Sequence, residues 1–176
     1  GGFMIFLTVG THEQPFDRLI KAIDEFVEEG VIQQEVFMQI GYATYFPKNC
    51  EWKKFISPQE MTDFIEKADI VITHGAPASF LPVVTRKKVP IVVPRFKKFN
   101  EHVNNHQLEF SSAVERKFNN IILIEDIKQL KEVLLNFNTI AETKNRDAFN
   151  NNHQFMAKFT QEIQGWYRDE VNDEDS

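Results

Sequence analysis

Between Asp69 and Arg95 the sequence sets out a strand, a helix and a second strand, and this unit constrains the fold most. A short β-branched run, Ile70 to Ile72, ends at His74-Gly75, and Pro77 suits the first position of a helix. A second buried run, Ile91 to Val93, stops at Pro94-Arg95. Polar residues therefore gather where two neighbouring strands end. In an open parallel sheet that is where ligands bind.

The rest of the chain repeats the alternation. Met4 to Val9 is an apolar run of strand length, followed by the turn Gly10-Thr11-His12. Phe16, Leu19, Ile20, Ile23, Phe26 and Val27 recur at helical spacing, and Gly30 closes that helix. Val36 to Ile40 reads as a strand, and residues 42–55 as a loop with one more short strand. Ser57-Pro58-Gln59-Glu60 has the form of a capping box opening a helix to about Lys67. A helix from about Val103 to Arg116, a strand from Ile121 to Ile124 and a helix capped by Asp126 running through Phe137 follow. A last helical pattern begins near Asn145. Strands alternating with helices predict an α/β fold, a doubly wound parallel sheet.

Composition removes several function classes. The 176 residues suit one domain spanning 4–170, with Gly1-Gly2-Phe3 read as a cloning remnant and 171–176 as a disordered acidic tail. A net charge of −6 argues against nucleic acid as a partner. The one cysteine, Cys50, has no internal disulfide partner, and no apolar run is long enough to cross a bilayer. The chain reads as cytoplasmic.

The candidate chemistry lies at the strand ends. The orphan N–H groups and dipole of a helix starting at Pro77 favour an anion, with Ser79 one turn in and Gly75 permitting close approach or positive φ. Gly10-Thr11 is a weaker phosphate-loop signal, because it is not G-x-G-x-x-G. His102 and His106 are spaced i, i+4 beside Glu101, yet no H-E-x-x-H order or third ligand accompanies them. No metal site and no cofactor is expected. Nor does the chain hold a nucleophile elbow, a Walker loop or a convincing general base.

At His74-Gly75 with Ser79, at Ile91-Val-Val-Pro94 and at Asn105-His106-Gln107, the chain resembles the C-terminal, donor-binding half of family 28 glycosyltransferases. Leu7-Thr-Val-Gly-Thr-His12 followed by Phe16-Asp17-Arg18-Leu19 is similar to the small cytosolic subunits of two-part transferases. These include dolichol-linked N-acetylglucosaminyltransferases of eukaryotes and capsule or exopolysaccharide transferases of bacteria. The resemblance implies a Rossmann-like GT-B half-domain. It implies a UDP-sugar donor and inverting, metal-independent transfer of a hexose. It also implies a membrane-anchored acceptor-binding partner that presents a lipid-linked glycan and recruits the chain to the inner face of the plasma membrane. By the same resemblance Gly10, Thr11, His74, Gly75 and Ser79 face the diphosphate, and Ile56, after Phe55, lies against the uracil. Gln107 and His106 meet sugar hydroxyls, and Arg95 joins the substrate-binding set. The chain departs from the pattern at Pro82, where the family commonly carries a ribose-binding glutamate. Proline cannot accept those hydrogen bonds. Two other classes stay open: a non-catalytic activator of a separate transferase, and a generic flavodoxin-like nucleotide module. A stripe at Phe149, Met156, Phe159, Ile163 and Trp166, widened by Phe155 and Tyr167, is expected to dock the partner.

Overall fold

A computed structural model of the protein describes residues 3–147 together with Ala157, Lys158 and Gln161, the last three helical. The stripe from Phe149 to Tyr167 and the acidic tail lie outside the described residues. Residues 145–147, where a last helical pattern was expected to begin, form a turn.

Among the described residues six strands form one parallel sheet: β1 (Met4–Thr8), β2 (Glu35–Gln39), β3 (Glu51–Lys53), β4 (Ile70–His74), β5 (Ile91–Val93) and β6 (Ile122–Leu123). Their spatial order is β3-β2-β1-β4-β5-β6. Leu7 of β1 sits level with Met38 on one side and Ile72 on the other. Chain order reverses between β1 and β4, which opens a crevice there at the strand C-termini.

The strand period of two divides the core. Ile5, Leu7, Met38, Ile72 and Ile91 face one layer, made by α1 (Asp17–Glu28), α5 (Leu130–Leu135) and α6 (Phe137–Glu142). Phe6, Val71 and Val92 face the other, made by α2 (Pro58–Lys67), α3 (Pro77–Val84) and α4 (His106–Phe118). Both faces being covered, the strands read as continuous apolar runs.

Local chemistry sets the helix ends. The Ser57 capping box is complete: Glu60 N–H donates to Ser57 Oγ at 3.1 Å, and Ser57 N–H donates to Glu60 Oε1 at 3.2 Å. Helix α3 runs through Pro82. Helix α4 starts at His106 rather than near Val103. Asn104 Oδ1 takes the His106 N–H at 3.0 Å and Asn105 Oδ1 takes the Lys97 N–H at 3.0 Å, which holds the preceding residues in bends. The helix expected from Asp126 to Phe137 is three pieces. Asp126 caps a 3-10 turn over Ile127–Gln129, then α5 and α6 follow with a break at Asn136.

A carboxylate clasp secures the loop after β2. Asp24, 1% exposed in α1, accepts from Tyr45 Oη at 2.6 Å, Lys48 N–H at 3.0 Å and Asn49 N–H at 2.8 Å. Burial alone would raise its pKa, yet those hydrogen bonds hold it below the ordinary value. Burial, and then Asp24, push the neighbouring Cys50 thiol up to about 12, so it is inert as a nucleophile.

Candidate functional site

The crevice between β1 and β4 is walled by the Gly10 turn on one side and by the β4–α3 corner on the other. Gly10 has φ +73°, and a Cβ there would overlap the imidazole of His74. The turn therefore lies flat against the ring only because residue 10 is glycine. Gln39 clamps it from beneath: Gly10 N–H donates to Gln39 Oε1 at 3.0 Å, and Gln39 Nε2 donates to Gly10 O at 2.9 Å. Thr8 Oγ1 also donates to Gln39 Oε1, at 2.6 Å. The Gly10 N–H thus points into the protein, and the exposed Thr11 is what the turn offers to the crevice.

His74 is the hub of the corner. It is 4% exposed. Its Nδ1 lies 3.3 Å from Arg95 Nε and 3.2 Å from Gln107 Nε2, and its Nε2 lies 2.7 Å from Ser79 Oγ. Gly75 carries ordinary negative φ, so its role is close approach. A Cβ there would stand 2.9 Å from Gln107 Cβ. The approach lets Gln107 Oε1 accept from Gly75 N–H at 3.0 Å and from Arg95 N–H at 3.1 Å.

Arg95 is 1% exposed and turned inward. Besides His74, its guanidinium donates to Val9 O at 2.6 Å, Gln14 O at 2.6 Å and Glu101 O at 3.1 Å. It also lies over the Phe16 ring, 5.0 Å from the centroid. Burial lowers its pKa to about 10, with Glu101 opposing that shift, so it stays charged at neutral pH. Arg95 supports the crevice floor from beneath. Glu101, 2% exposed, is held by Arg18 through Nε at 2.9 Å and Nη2 at 3.0 Å. That bidentate pair fixes the β5–α4 loop to the start of α1.

The histidines do not assemble as a metal site. His102 precedes α4 and stacks on His12 with centroids 4.4 Å apart, while His106 pairs through Nδ1 with Glu109 at 3.1 Å. Among the described residues no three His, Cys, Asp or Glu side chains come together to hold a metal ion. Burial, then Arg95, His12 and His102, depress the pKa of His74 well below the ordinary value. Burial, then His12, Arg95 and His106, take His102 down to about 4. The crevice floor holds neutral imidazoles at physiological pH.

What remains for a ligand is the mouth of α3. Among the described residues the N–H groups of Ala76 and Ala78 have no protein acceptor, whereas those of Ser79 and Phe80 return to Ala76 O. Ser79 is half-buried and lies beside them. Together with the helix dipole they make a site suited to a phosphate. Ile56 packs its side chain into the layer of Phe6 and Val71, so only its backbone is left for a base. Phe55 beside it is exposed and meets Tyr42 edge-on at 5.2 Å.

Of the residues expected from sequence, Gly10, His74, Gly75, Ser79, Arg95 and Gln107 form one connected cluster. Thr11 and His106 adjoin it as chain neighbours of Gly10 and Gln107, while Ile56 lies in the layer of Phe6 and Val71. Gln39 and Glu101 escaped sequence reasoning as site supports. A single polar residue inside the apolar run Val36 to Ile40 was the available signal for Gln39.

The family model for glycosyltransferase family 28 C-terminal domains matches residues 4–163. The chain is 30% identical over 123 residues to UDP-N-acetylglucosamine transferase subunit ALG13 of Homo sapiens, covering 64% of this chain and 10% of that protein. It therefore spans about a tenth of that relative's length. Among solved structures, the glycotransferase of kitacinnamycin matches with TM-score 0.54 at 15% identity, over 80% of this chain and 36% of that one. The glycosyltransferase SnogD from Streptomyces nogalater matches with TM-score 0.50 at 18% identity, over 81% and 37% respectively. At such identities the likeness is one of fold: a GT-B half-domain.

Proposed function

We propose, from the premise that this chain belongs to the glycosyltransferase family 28 C-terminal domain family, that it is the donor-binding subunit of a two-component inverting glycosyltransferase. Its donor is a UDP-hexose, and its acceptor is a lipid-linked glycan held by a separate membrane-anchored chain in surface polysaccharide synthesis. The observation that carries the reading is the α3 mouth at the β1/β4 switch point, with Ser79 and two orphan N–H groups beside a neutral His74.

In this reading the diphosphate lies over the first turn of α3. As the bond between the sugar C1 and the β-phosphate oxygen breaks, negative charge grows on that phosphate. Ser79, the Ala76 and Ala78 N–H groups and the helix dipole are already oriented towards it. Removing one such donor typically costs about 10²–10³ in rate. Thr11 borders the same phosphate from the β1 side. The uracil rests against the Phe55-Ile56 backbone. The second amide N–H of Gln107, with His106 beside it, meets the sugar. The base that activates the acceptor hydroxyl belongs to the partner.

A non-catalytic activator is the competing reading, and Pro82 is the residue that favours it. Its ring occupies the helical position where a carboxylate would grip ribose. Calorimetry with UDP-glucose, UDP-N-acetylglucosamine and FMN separates the alternatives. Saturable binding of a UDP-sugar is expected; no binding points to the activator and flavin binding to a flavodoxin-like module. The purified chain alone should transfer no sugar to a lipid-linked acceptor. Transfer without a partner would overturn the two-component assignment.

A further inference from the structure

The hydrogen-bond pattern around His74 fixes where its proton sits, and through it the direction of the Ser79 hydroxyl. Gln107 is the starting point. Its Oε1 takes two backbone N–H groups, from Gly75 at 3.0 Å and Arg95 at 3.1 Å, so that atom is oxygen and the other is the amide nitrogen. The amide nitrogen faces His74 Nδ1 at 3.2 Å and has only hydrogens to offer. Arg95 Nε, also a donor only, faces the same Nδ1 at 3.3 Å. Two donors converge on one ring nitrogen, so Nδ1 carries the lone pair and the proton of the neutral ring is on Nε2. Ser79 Oγ, 2.7 Å from Nε2, must then accept. Its own hydrogen has no acceptor among the described residues, and the half-buried hydroxyl turns it to the crevice, beside the free N–H groups of Ala76 and Ala78.

We infer that Gln107 and Arg95 are positioning residues acting through His74: by holding Nδ1 as an acceptor they make the Ser79 hydroxyl an obligatory donor to an anion at the α3 mouth. The relay rests on the donor-binding reading for the identity of that anion, a diphosphate diester, but not for the placement of the proton. It also accounts for a full-length arginine buried under a neutral ring. A lysine has no donor at the Nε position and no fork to reach Val9 O, Gln14 O and Glu101 O as well. The groups facing the ring agree with a neutral state. Arg95 approaches from β5, His12 from the turn after β1 and His102 from the loop before α4, and each disfavours a second positive charge. Among the described residues no carboxylate opposes them at the ring: Glu101 is taken up by Arg18 and the Phe96 N–H.

Gln107→Glu is the discriminating variant because it keeps the shape and can keep both bonds to Gly75 and Arg95 N–H. Its second oxygen, however, has no hydrogen and calls for one from Nδ1. Long-range proton–nitrogen correlation spectra of the ligand-free full chain read both ring nitrogens, and calorimetry at about pH 8 with free UDP, which lacks the sugar that Gln107 meets, reads the consequence. Expected is an Nε2-protonated neutral ring in the wild type between about pH 6 and 8. In Gln107→Glu the proton appears on Nδ1, and UDP affinity falls about tenfold, in keeping with one redirected hydrogen bond. Arg95→Lys should show a mixture of the two tautomers. A wild-type ring protonated on Nδ1, or on both nitrogens, would overturn the relay. So would equal UDP affinity in wild type and Gln107→Glu. Tautomer reversal with no UDP binding to either protein would sustain the relay and overturn the donor-binding reading instead.

Discussion

Two buried polar hubs are built to different ends, one around Asp24 in α1 and one around His74 at the end of β4. Asp24 is an acceptor whose partners all belong to one loop: Tyr45 Oη and the N–H groups of Lys48 and Asn49. Every bond closes inside the protein. The His74 hub gathers Gly10 and Arg95 from the ends of two other strands and Gln107 from the start of α4, and its last member, Ser79, keeps a hydrogen facing the crevice. A saturated hub fastens a loop, whereas a hub with one outward donor can also hold a ligand. Burial and satisfied hydrogen bonds therefore do not by themselves separate structure from function. The direction of the last bond does.

The largest expected effect is at Gly10→Ala, which tests how tightly the His74 hub is packed. Left-handed φ and overlap with the imidazole combine there, and a loss of about 2–4 kcal/mol is expected by chemical denaturation, with UDP-glucose binding lost as well. Gly30→Ala is the control, because its φ is +78° with open space around it, and it should cost only about 1 kcal/mol. Equal losses at both positions would show that the ring contact does not matter.

Asp24→Ala should cost roughly 2–3 kcal/mol, since it strands buried donors, while leaving UDP-glucose affinity within about threefold. Ser79→Ala should tilt the other way. Stability falls by only about 1 kcal/mol, since water at the crevice can take the His74 Nε2–H, and donor binding weakens by about 1–3 kcal/mol, the range for a hydrogen bond lost in a desolvated site. Asp24→Ala weakening binding as much as stability, or Ser79→Ala leaving binding unchanged, would erase the distinction.

Acid separates the hubs more gently. His74 has a folded pKa well below its ordinary 6.5, so the unfolded chain binds the extra proton first. Its contribution is complete above pH 6.5 and falls as pH drops, at about 1.4 kcal/mol per pH unit. Asp24 behaves as a depressed carboxylate: its contribution is present above 3.8 and is lost as pH falls through its lower folded value. Denaturation midpoints measured between about pH 7 and 5 should therefore decline in the wild type and decline less in His74→Asn, with Asp24→Asn parallel to wild type over that window.

Much of the fold was legible in the sequence because apolar periodicity and punctuation agreed with each other. The strands at Met4, Ile70 and Ile91 and the Ser57 capping box fall where the sequence puts them. Residues 101–105 did not, because Asn104 and Asn105 use side-chain oxygens to hold a non-helical backbone, and sequence spacing does not show which bond wins. For the site, sequence located the strand ends but not the direction of the side chains on them. Arg95 follows a proline at a strand end, a place where an arginine can as well reach out to phosphate, and only the packed structure shows it donating to Val9, Gln14 and Glu101 carbonyls. Gln107 likewise proves to be the crosspiece between two strand ends. The histidine pair at 102 and 106 kept its sequence spacing and lost its helical geometry, because α4 starts at the second of them.

Amide chemical-shift mapping of the full chain with UDP-glucose reads whether the α3 mouth at the β1/β4 crevice receives the diphosphate of a UDP-sugar. Saturable shifts are expected on the Thr11, Ala76, Ala78 and Ser79 amides, all reduced in Ser79→Ala, with the Lys48 and Asn49 amides at the Asp24 hub unmoved. Saturable shifts centred elsewhere, such as on the groove lined by Leu123, Val133 and Ile140, or no shifts at all, would contradict that placement.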